Sequence, residues 1–272
     1  MKILTIAREM GAIDYDYETA LCHTLGIRLV HREVLESHFK ELGANSSLMN
    51  RLDERKPGMM DSFFSRADVY YETLRTAIFN EIAKGDVAIV GRGANFILHD
   101  IINCIRLHFI APLEIRVERI ARKQNISKDQ ALACIKKSDR ERIGFCNYYY
   151  GKDWRDAEGY DITINTAEIA FEDFQKIALQ TVELKQPHSD HEQKLKNAML
   201  TQTIRYALCI TEHLDIRFLE VICYNGHVII RGAVPSVGVS QRAENIVKQM
   251  TGVISVQNQL NIVLKNIPQR FE

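Results

Sequence analysis

A buried strand that ends in a single arginine is the feature that most limits how this chain can fold. Val87 to Val90 form an unbroken apolar run, as expected of a strand covered on both faces in a parallel sheet. Gly91 and Gly93 flank Arg92 and leave the backbone there without side-chain bulk. Because ligands of open α/β sheets bind at the carboxyl ends of the strands, Arg92 is predicted to meet an anion. A surface arginine in a glycine-rich turn is the alternative interpretation.

Length, charge and cysteine usage limit the domains and partners of the chain. At 272 residues it is long for one domain, so two domains are expected. Lys plus Arg and Asp plus Glu are balanced at 35 each, which argues against a nucleic-acid-binding protein. No apolar run is long enough for a transmembrane segment, and MKILTIARE predicts a strand rather than a signal peptide. The six cysteines form no C-x-x-C pair and are interpreted as reduced core residues of a cytoplasmic protein.

Strands and helices alternate along residues 1–184. Apolar patterns predict strands at about 2–7, 87–90, 106–111 and 160–165, and helices at about 15–25, 31–42, 45–52, 61–83, 113–124, 128–142 and 168–184. Ser127 is the expected cap of the helix at 128–142, and YYYGKDW at 148–154 is interpreted as a loop. This alternation predicts a doubly wound parallel sheet with right-handed crossovers, in the α/β class.

A local excess of positive charge is the second chemical signal. Between Pro112 and Arg142 there are nine Lys or Arg against five Asp or Glu. Arg116 and Arg119 lie three positions apart on one helical face, and Asp139 and Arg142 do so on another. Phosphoryl transfer needs concentrated positive charge, and guanidinium groups match phosphate oxygens well. A solvated helical hairpin with many ion pairs is the alternative interpretation.

The first strand, its loop and the following helix form the usual context of a phosphate-binding loop. Such a loop needs glycines, whose backbone N–H groups surround phosphate at a helix N-terminus. Here Gly11 is the remaining glycine, and Ile13, Asp14, Tyr15 and Asp16 stand where glycines and a basic residue would be needed. The carboxylates suit a helix start but would repel a polyphosphate.

Six motifs in order resemble the cytidylate-kinase-like family of P-loop kinases. They are REMG at 8–11, VGRGAN at 90–95, APLEIRVERI at 111–120, SDRER at 138–142, YYGKDW at 149–154 and YDITINT at 160–166. The resemblance covers nearly all of residues 1–184 and implies a doubly wound parallel sheet of P-loop kinase type. It also implies phosphoryl transfer from ATP, with Mg²⁺, to a nucleotide or another small phosphorylated acceptor.

The same resemblance implies roles for individual residues. Arg92 contacts the acceptor phosphate, the other arginines surround the transferred group, and Asp139 orients the acceptor or an arginine. The implied catalytic residues are Arg92, Arg116, Arg119, Asp139, Arg140 and Arg142. The implied cofactor-binding residues are Arg8, Gly11, Ala12, Asp14 and Asn165, and no metal ligand is assigned.

Two departures from the family pattern stand out. Where the family usually has a run like GSGGRE, this chain has GAIDYD at 11–16, and His31 stands where an aspartate is common. We therefore expect phosphoryl transfer to be impaired by a degenerate phosphate-binding loop.

A different pattern begins after a polar linker at residues 185–195, which contains KQPHSDHEQK. Helices are predicted at 197–212 and 240–250, strands at 218–224 and 227–234, and a last strand ends at about Leu264. Asn225 and Gly226 between two strands are a strong hairpin signal. The order of elements, with NGHVIIRGAV and GVISVQNQL, resembles a BON domain at 196–266. That resemblance implies contacts with protein or lipid, or assembly into a homo-oligomer.

Three functions are consistent with these features. The first is a kinase of the cytidylate type with impaired phosphoryl transfer. The second is a non-catalytic nucleotide- or anion-sensing regulatory protein that signals through its BON-like domain. The third is a structural interaction protein in which the kinase fold is a scaffold, since fold does not determine function.

Overall fold

A computed structural model describes residues 1–13, 15–42, 66–101, 103–185 and 189–263. These residues form two compact units. The first unit takes in residues 1–42 and 77–191, and the second takes in residues 66–76 and 192–263. The helix predicted at 45–52, the start of the helix predicted at 61 and the predicted site residue Asp14 lie outside the described residues.

A five-stranded parallel sheet forms the centre of the first unit. Its order is β2-β3-β1-β4-β5, so consecutive strands are joined by crossovers rather than hairpins. The strand at Val87–Val90 is fully buried, as its unbroken apolar run predicts. The prediction of a doubly wound parallel sheet is confirmed. The strands are β1 (Ile3–Arg8), β2 (Arg28–Val30), β3 (Val87–Val90), β4 (Cys104–Ile110) and β5 (Ile162–Asn165).

Helices cover this sheet and carry most of the side chains discussed below. The Ser127 cap is confirmed, because its hydroxyl accepts from the Gln130 backbone N–H while the Gln130 side chain accepts from the Ser127 N–H. A short 3₁₀ turn lies at Ala157–Gly159. The helices are α1 (Tyr15–Leu25), α2 (Arg32–Glu41), α3 (Arg66–Ala83), α4 (Ala94–Ile97), α5 (Leu113–Gln124), α6 (Lys128–Tyr150) and α7 (Phe171–Leu184).

The structure corrects several boundaries. Helix α6 continues to Tyr150, so the first residues of the stretch predicted as a loop are helical. Rings of Phe145, Tyr149 and Tyr150 contact one another along this last part of the helix, which gives the aromatic run a helical packing role. Strand β2 and helix α4 were not predicted, because three and four residues are too short to show a periodic pattern.

The cysteines are only partly core residues. All six are free thiols. Cys22, Cys104, Cys146 and Cys209 are buried, but Cys134 is exposed on helix α6 and Cys223 is half-buried, so the prediction of six core cysteines was wrong.

Helix α2 is fixed to its neighbours through one buried carboxylate, Glu81 on helix α3. Glu81 accepts hydrogen bonds from His38 Nε2 at 2.5 Å, Lys84 Nζ at 2.6 Å and Arg28 Nη1 at 2.7 Å. Burial alone would raise the pKa of Glu81, but these donors outweigh it and lower the pKa from 4.5 to about 2. The carboxylate therefore joins helices α2 and α3 to strand β2.

We predict that this cluster stabilises the fold above pH 4.5 and loses its effect as the pH falls towards 2. Because the folded pKa lies below the unfolded one, the stabilising contribution of Glu81 is fully present at neutral pH. Glu81→Gln should lower the free energy of unfolding by about 3 kcal/mol at pH 7, and the difference from the unmodified protein should shrink between pH 4.5 and 3. Urea unfolding at a series of pH values measures this. Glu118→Gln is the control, because Glu118 and its partner Lys128 are exposed. A difference that does not depend on pH would contradict the prediction.

The second unit contains a three-stranded mixed sheet with helices on one side. Strands β6 and β7 form the predicted antiparallel hairpin through Asn225 and Gly226, and β8 runs parallel to β7. The first helix begins at Ser189 rather than at the predicted Asn197, and it ends in a π-helical turn at Ala207–Thr211. None of the helices in the described parts of the chain has the length and apolar character needed to cross a membrane. The elements are α8 (Ser189–Tyr206), β6 (Arg217–Tyr224), β7 (His227–Val234), α9 (Val237–Lys248) and β8 (Ser255–Ile262).

A buried ion pair ties residues 66–76 into the second unit. Glu72 accepts from Arg205 Nε at 3.1 Å and from Gln202 Nε2 at 2.9 Å, and the Gln202 amide also donates to Thr76 Oγ1 at 3.1 Å. The Glu72 side chain is 4% exposed and that of Arg205 is 23% exposed. Burial raises the pKa of Glu72, but the Arg205 guanidinium and Gln202 more than compensate and lower it overall. The domain boundaries at 184 and 196 remain a prediction. The structure also assigns residues 66–76 to the second unit.

We predict that Glu72→Ala destabilises the second unit by about 3 kcal/mol, because it leaves a largely buried guanidinium without its carboxylate. Far-UV circular dichroism during urea unfolding measures the loss. The fluorescence of Trp154, the single tryptophan and a residue of the first unit, follows that unit separately. Glu192→Ala is the control, because Glu192 forms an exposed pair with Lys196 on the same helix as Arg205. Equal stability of the two variants would show that the ion pair between Glu72 and Arg205 is dispensable.

Candidate functional site

A cavity of about 280 Å³ opens at the carboxyl ends of strands β1 and β3. The last residues of these neighbouring strands, Ala7, Arg8 and Val90, form its floor together with Gly91. This is the edge at which ligands of open α/β sheets bind. The cavity is therefore the leading candidate for a ligand site.

Four arginines line this cavity: Arg8, Arg32, Arg92 and Arg142. The Arg8 guanidinium is paired with the buried carboxylate of Glu18 on helix α1. Arg142 donates to the backbone carbonyl of Arg8, and its guanidinium lies 4.8 Å from the centre of the Trp154 ring. These contacts direct guanidinium groups from β1, α2, the β3 end and α6 to one space.

Three aromatic side chains also line the cavity. Phe145, Trp154 and Tyr160 line it, and the Tyr160 hydroxyl donates to the Trp154 backbone carbonyl. Behind them, the ring of His108 stacks on Tyr160 with centroids 4.3 Å apart. Burial, and then the nearby charge of Arg142, lower the pKa of His108 to about 4. This histidine is therefore neutral at pH 7 and packs against Tyr160 behind the residues that line the cavity.

Two polar groups complete the aromatic side. Asn95 is buried and donates to the Gly159 carbonyl at 3.4 Å. Cys146 also lines the cavity, but burial raises the pKa of its thiol to about 12. A thiol with this pKa is protonated at neutral pH, so Cys146 is not an activated nucleophile.

The turn that carries Arg92 has an unusual backbone. Gly91, Arg92 and Gly93 have φ angles of 72°, 56° and 66°, so three consecutive residues are left-handed. The Tyr150 hydroxyl at the end of α6 donates to the Arg92 carbonyl at 2.6 Å. A Cβ on Gly93 would lie 2.2 Å from the Tyr150 ring, so only glycine fits there. Helix α6 thus supports the strained turn that presents Arg92.

The loop after β1 is held by its backbone carbonyls. Arg119 Nη1 donates to the Ala12 carbonyl at 2.6 Å and to Thr166 Oγ1 at 2.9 Å, and its Nη2 donates to the Thr166 carbonyl at 2.8 Å. Gly11 has a φ of 84°, and a Cβ there would lie 2.9 Å from the Arg116 carbonyl. The side chains of Ala12 and Ile13 are buried in the core of the first unit. The loop is therefore fixed from α5 and from the end of β5.

Arg116 lies beside this loop between two carboxylates. It forms a fork with Asp139, with N–O distances of 3.2 and 3.0 Å, and its Nε lies 3.4 Å from Glu9 Oε2. The Glu9 carboxylate also accepts from the Ala111 backbone N–H at 3.1 Å. Arg116 is 6% exposed, so its charge is balanced within the protein. The three charged groups together carry one net negative charge.

Comparison with known proteins agrees with this geometry. A profile of the cytidylate kinase-like family matches residues 3–168, which is more than half of the chain. The chain belongs to the cytidylate kinase-like family. A BON domain profile matches residues 196–263. Both resemblances seen in the sequence are confirmed.

Individual relatives are similar over part of their length. A cytidylate kinase of Sulfolobus acidocaldarius is 31% identical over 107 residues, which are 39% of this chain and 58% of that protein. A cytidylate kinase of Saccharolobus islandicus is 35% identical over 80 residues, which are 29% of this chain and 42% of that protein. The chain thus spans about half the length of these curated relatives. The crystal structure of an uncharacterized protein from Eubacterium ventriosum shares the fold, with a TM-score of 0.51 and 20% identity over 67% of this chain and 99% of that one.

The structure separates the predicted site residues of the kinase-like domain into two groups. Arg8, Arg92 and Arg142 line the cavity. The second group lies around the loop after β1 and consists of Gly11, Ala12, Arg116, Arg119 and Asp139.

Two predicted residues join neither group. Arg140 is exposed on helix α6 and does not line the cavity. Asn165 ends strand β5, where its side chain accepts from the Ala167 backbone N–H at 3.1 Å and so closes a turn.

Several cavity residues were not predicted as site residues. Arg32 and Asn95 were missed, as were the rings of Phe145, Trp154 and Tyr160. His31 was noted only as a departure from the family pattern, yet it lines the cavity, with Nδ1 3.7 Å from Glu18 Oε2. The motifs VGRGAN, YYGKDW and YDITINT contain Asn95, Trp154 and Tyr160, so the sequence carried a signal for these three.

We predict that Gly93→Ala costs more stability than Gly91→Ala. Both glycines are left-handed, so an alanine at either position should cost about 1 to 2 kcal/mol in backbone strain. Nothing lies within 4 Å of a Cβ on Gly91, whereas a Cβ on Gly93 displaces Tyr150 and breaks its hydrogen bond to Arg92, which adds about 1 kcal/mol. Urea unfolding followed by Trp154 fluorescence measures both. Combining Gly93→Ala with Tyr150→Ala should reduce the difference, and equal costs for the two glycines would contradict the role of Tyr150.

Proposed function

We propose that the cavity binds the monophosphate of a nucleotide or of another small phosphorylated ligand. The observation that carries the proposal is that four arginines and three aromatic rings line one cavity, where the Arg142 guanidinium lies over the Trp154 ring. Guanidinium groups match phosphate oxygens, and aromatic faces stack on heterocyclic rings. Membership of the cytidylate kinase-like family supports a nucleotide as the ligand.

The residues that line the cavity suggest an orientation for the ligand. Arg92 at the carboxyl end of β3, with Arg32 and Arg142 near it, would take the phosphate. The ring would lie against Trp154 and Tyr160. Asn95 carries both a hydrogen-bond donor and an acceptor, which suits the edge of a base.

Phosphoryl transfer from ATP is proposed to be impaired in this chain. A phosphate-binding loop works by turning several backbone N–H groups towards one anion. In this loop the side chains of Ala12 and Ile13 lie in the core, and Arg119 is used to bind the Gly11 and Ala12 carbonyls. Beside the loop, the positive charges of Arg116 and Arg119 are balanced by Glu9 and Asp139, so these groups offer a polyphosphate no net attraction.

ATP and Mg²⁺ would be the cofactors of any remaining transfer. Among the residues the structure describes, no group of three or more His, Cys, Asp or Glu could hold a metal ion. Mg²⁺ commonly enters such sites on the phosphates of the nucleotide, with one or two carboxylates from the protein. Glu9 and Asp139 beside the loop are candidates for that contact.

A non-catalytic nucleotide sensor is the second candidate. It is favoured by the contrast between an arginine-lined cavity for a monophosphate and a loop held by its carbonyls. In that case the BON domain at residues 196–263 would report binding to a partner. The two candidates differ in turnover, since kinases typically work at about 1 to 100 s⁻¹.

We predict that the full-length protein binds CMP through Arg92 and binds Mg²⁺-ATP weakly. Arg92→Ala should weaken CMP binding by about 1.5 to 3 kcal/mol, because it removes a hydrogen bond to a charged group. Isothermal titration calorimetry with CMP and with Mg²⁺-ATP measures both affinities. Arg140→Ala is the control, because Arg140 is exposed and does not line the cavity.

Three results would contradict parts of this proposal. Equal CMP affinity of Arg92→Ala and the unmodified protein would show that the phosphate lies elsewhere. Loss of binding in Arg140→Ala would place the ligand nearer to the outer face of helix α6. Phosphorylation of CMP at about 1 s⁻¹ or faster would contradict the impairment of transfer.

A further inference from the structure

A carboxylate stands among the arginines that would take the phosphate. Glu36 lies on helix α2, one turn after Arg32. Its Oε1 atom accepts from Arg32 Nε and also from Arg92 Nη2, the latter at 3.1 Å. One carboxylate oxygen thus serves two of the four guanidinium groups that line the cavity.

Burial explains why Arg92 has such a partner. The Arg92 side chain is only 10% exposed, and a guanidinium so far from water needs an anion or other acceptors nearby. Glu36 and Arg32 are more exposed, at 31% and 41%. Glu36 is not itself one of the residues that line the cavity, but it pairs with two that are, and it is partly open to solvent.

We infer that Glu36 is an internal competitor that a phosphate group must displace from Arg92 and Arg32. This inference rests on the proposed function, because it concerns the same cavity. Solvent weakens the hold of the partly exposed Glu36 carboxylate, whereas a phosphate offers several oxygens to the same two guanidinium groups. The exchange is therefore favourable for the ligand, at the cost of the Glu36 contacts.

Retention of Glu36 in its place would oppose binding. A phosphate bound to Arg92 and Arg32 would lie beside the Glu36 carboxylate, and two negative charges so close repel each other. The carboxylate must consequently turn away from Arg92 when a phosphate arrives. Glu36 thereby lowers the affinity with which Arg92 and Arg32 bind the ligand.

Only a side chain has to move for this exchange. Leu35, His38 and Phe39 are buried and fix helix α2 on its inner face. His38 also bonds to the buried carboxylate of Glu81. Glu36 lies on a different face and is about one-third exposed, so it can rotate into solvent while the helix stays in place.

Glu36→Gln in the full-length protein tests the inference, with CMP and inorganic phosphate as separate probes in isothermal titration calorimetry. The variant should bind both probes about five- to tenfold more tightly, because the amide competes poorly for two guanidinium groups. Glu41→Gln is the matched control, since it makes the same charge change on the same helix at an exposed residue that pairs with His38 rather than with a cavity arginine. It should change both affinities less than about twofold. Urea unfolding of each variant verifies that the fold is intact.

The outcomes separate this inference from the proposed function. Unchanged or weaker binding of phosphate and CMP by Glu36→Gln overturns the competition and makes Glu36 a residue that holds Arg92 in position for the ligand. An equal gain in Glu41→Gln also overturns it, because the effect would then be one of overall charge. If phosphate binds more tightly to Glu36→Gln while CMP binds to neither protein, the competition stands and the nucleotide proposal fails. Absence of binding by both probes overturns both.

Discussion

The need to balance buried guanidinium groups governs the structure around the candidate site. Strand β1, strand β3 and helices α2, α5 and α6 all bring arginines to the carboxyl edge of one buried sheet. Several of these side chains are largely removed from water, where an unpaired charge is very costly. Three of these cations have a carboxylate from another element: Arg8 has Glu18, Arg92 has Glu36 and Arg116 has Asp139. The fold of the kinase-like domain thus brings each of these guanidinium groups to a carboxylate from a different part of the chain.

The type of acceptor divides the edge into two chemically different regions. In the cavity, Arg92 and Arg32 share a carboxylate that lies at the border with solvent and can leave. At the loop after β1, Arg119 is bound by backbone carbonyls, which cannot leave without changing the backbone. An arriving anion can therefore replace the partner in the first region far more easily than in the second. Under the function proposed above, this difference, rather than the number of arginines, is the reason for a preference for a monophosphate over a polyphosphate.

Sequence reasoning predicted the elements that have a strong local pattern. The apolar run before Arg92, the cap at Ser127 and the turn at Asn225 and Gly226 each depend on residues close in sequence, and each was predicted correctly. The resemblance to cytidylate kinases added the fold and the family. Helix α6 extends further than expected, because its aromatic residues pack on one another along the helix, and it ends at the left-handed Gly151.

The partners of the arginines could not be predicted in the same way. Glu36 is 56 residues from Arg92, and Thr166 is 47 residues from Arg119. These pairs are set by crossovers of the parallel sheet, which bring distant segments to one edge. Arg119 was expected to contact phosphate, but its guanidinium donates hydrogen bonds to carbonyls of the loop after β1 instead.

Pairing between residues far apart in sequence also explains why the chain does not divide into its two units at a single position. The polar stretch after residue 184 marks a change in pattern, but Glu72, far earlier in the sequence, supplies the carboxylate for Arg205 and Gln202 in the second unit. Helix α3 therefore contributes Glu72 to one core and Glu81 to the other. Both are buried glutamates whose pKa values are lowered by cations from other elements. Each unit thus holds a glutamate in the same way that the sheet edge holds its arginines: a buried charge has a partner supplied by another element.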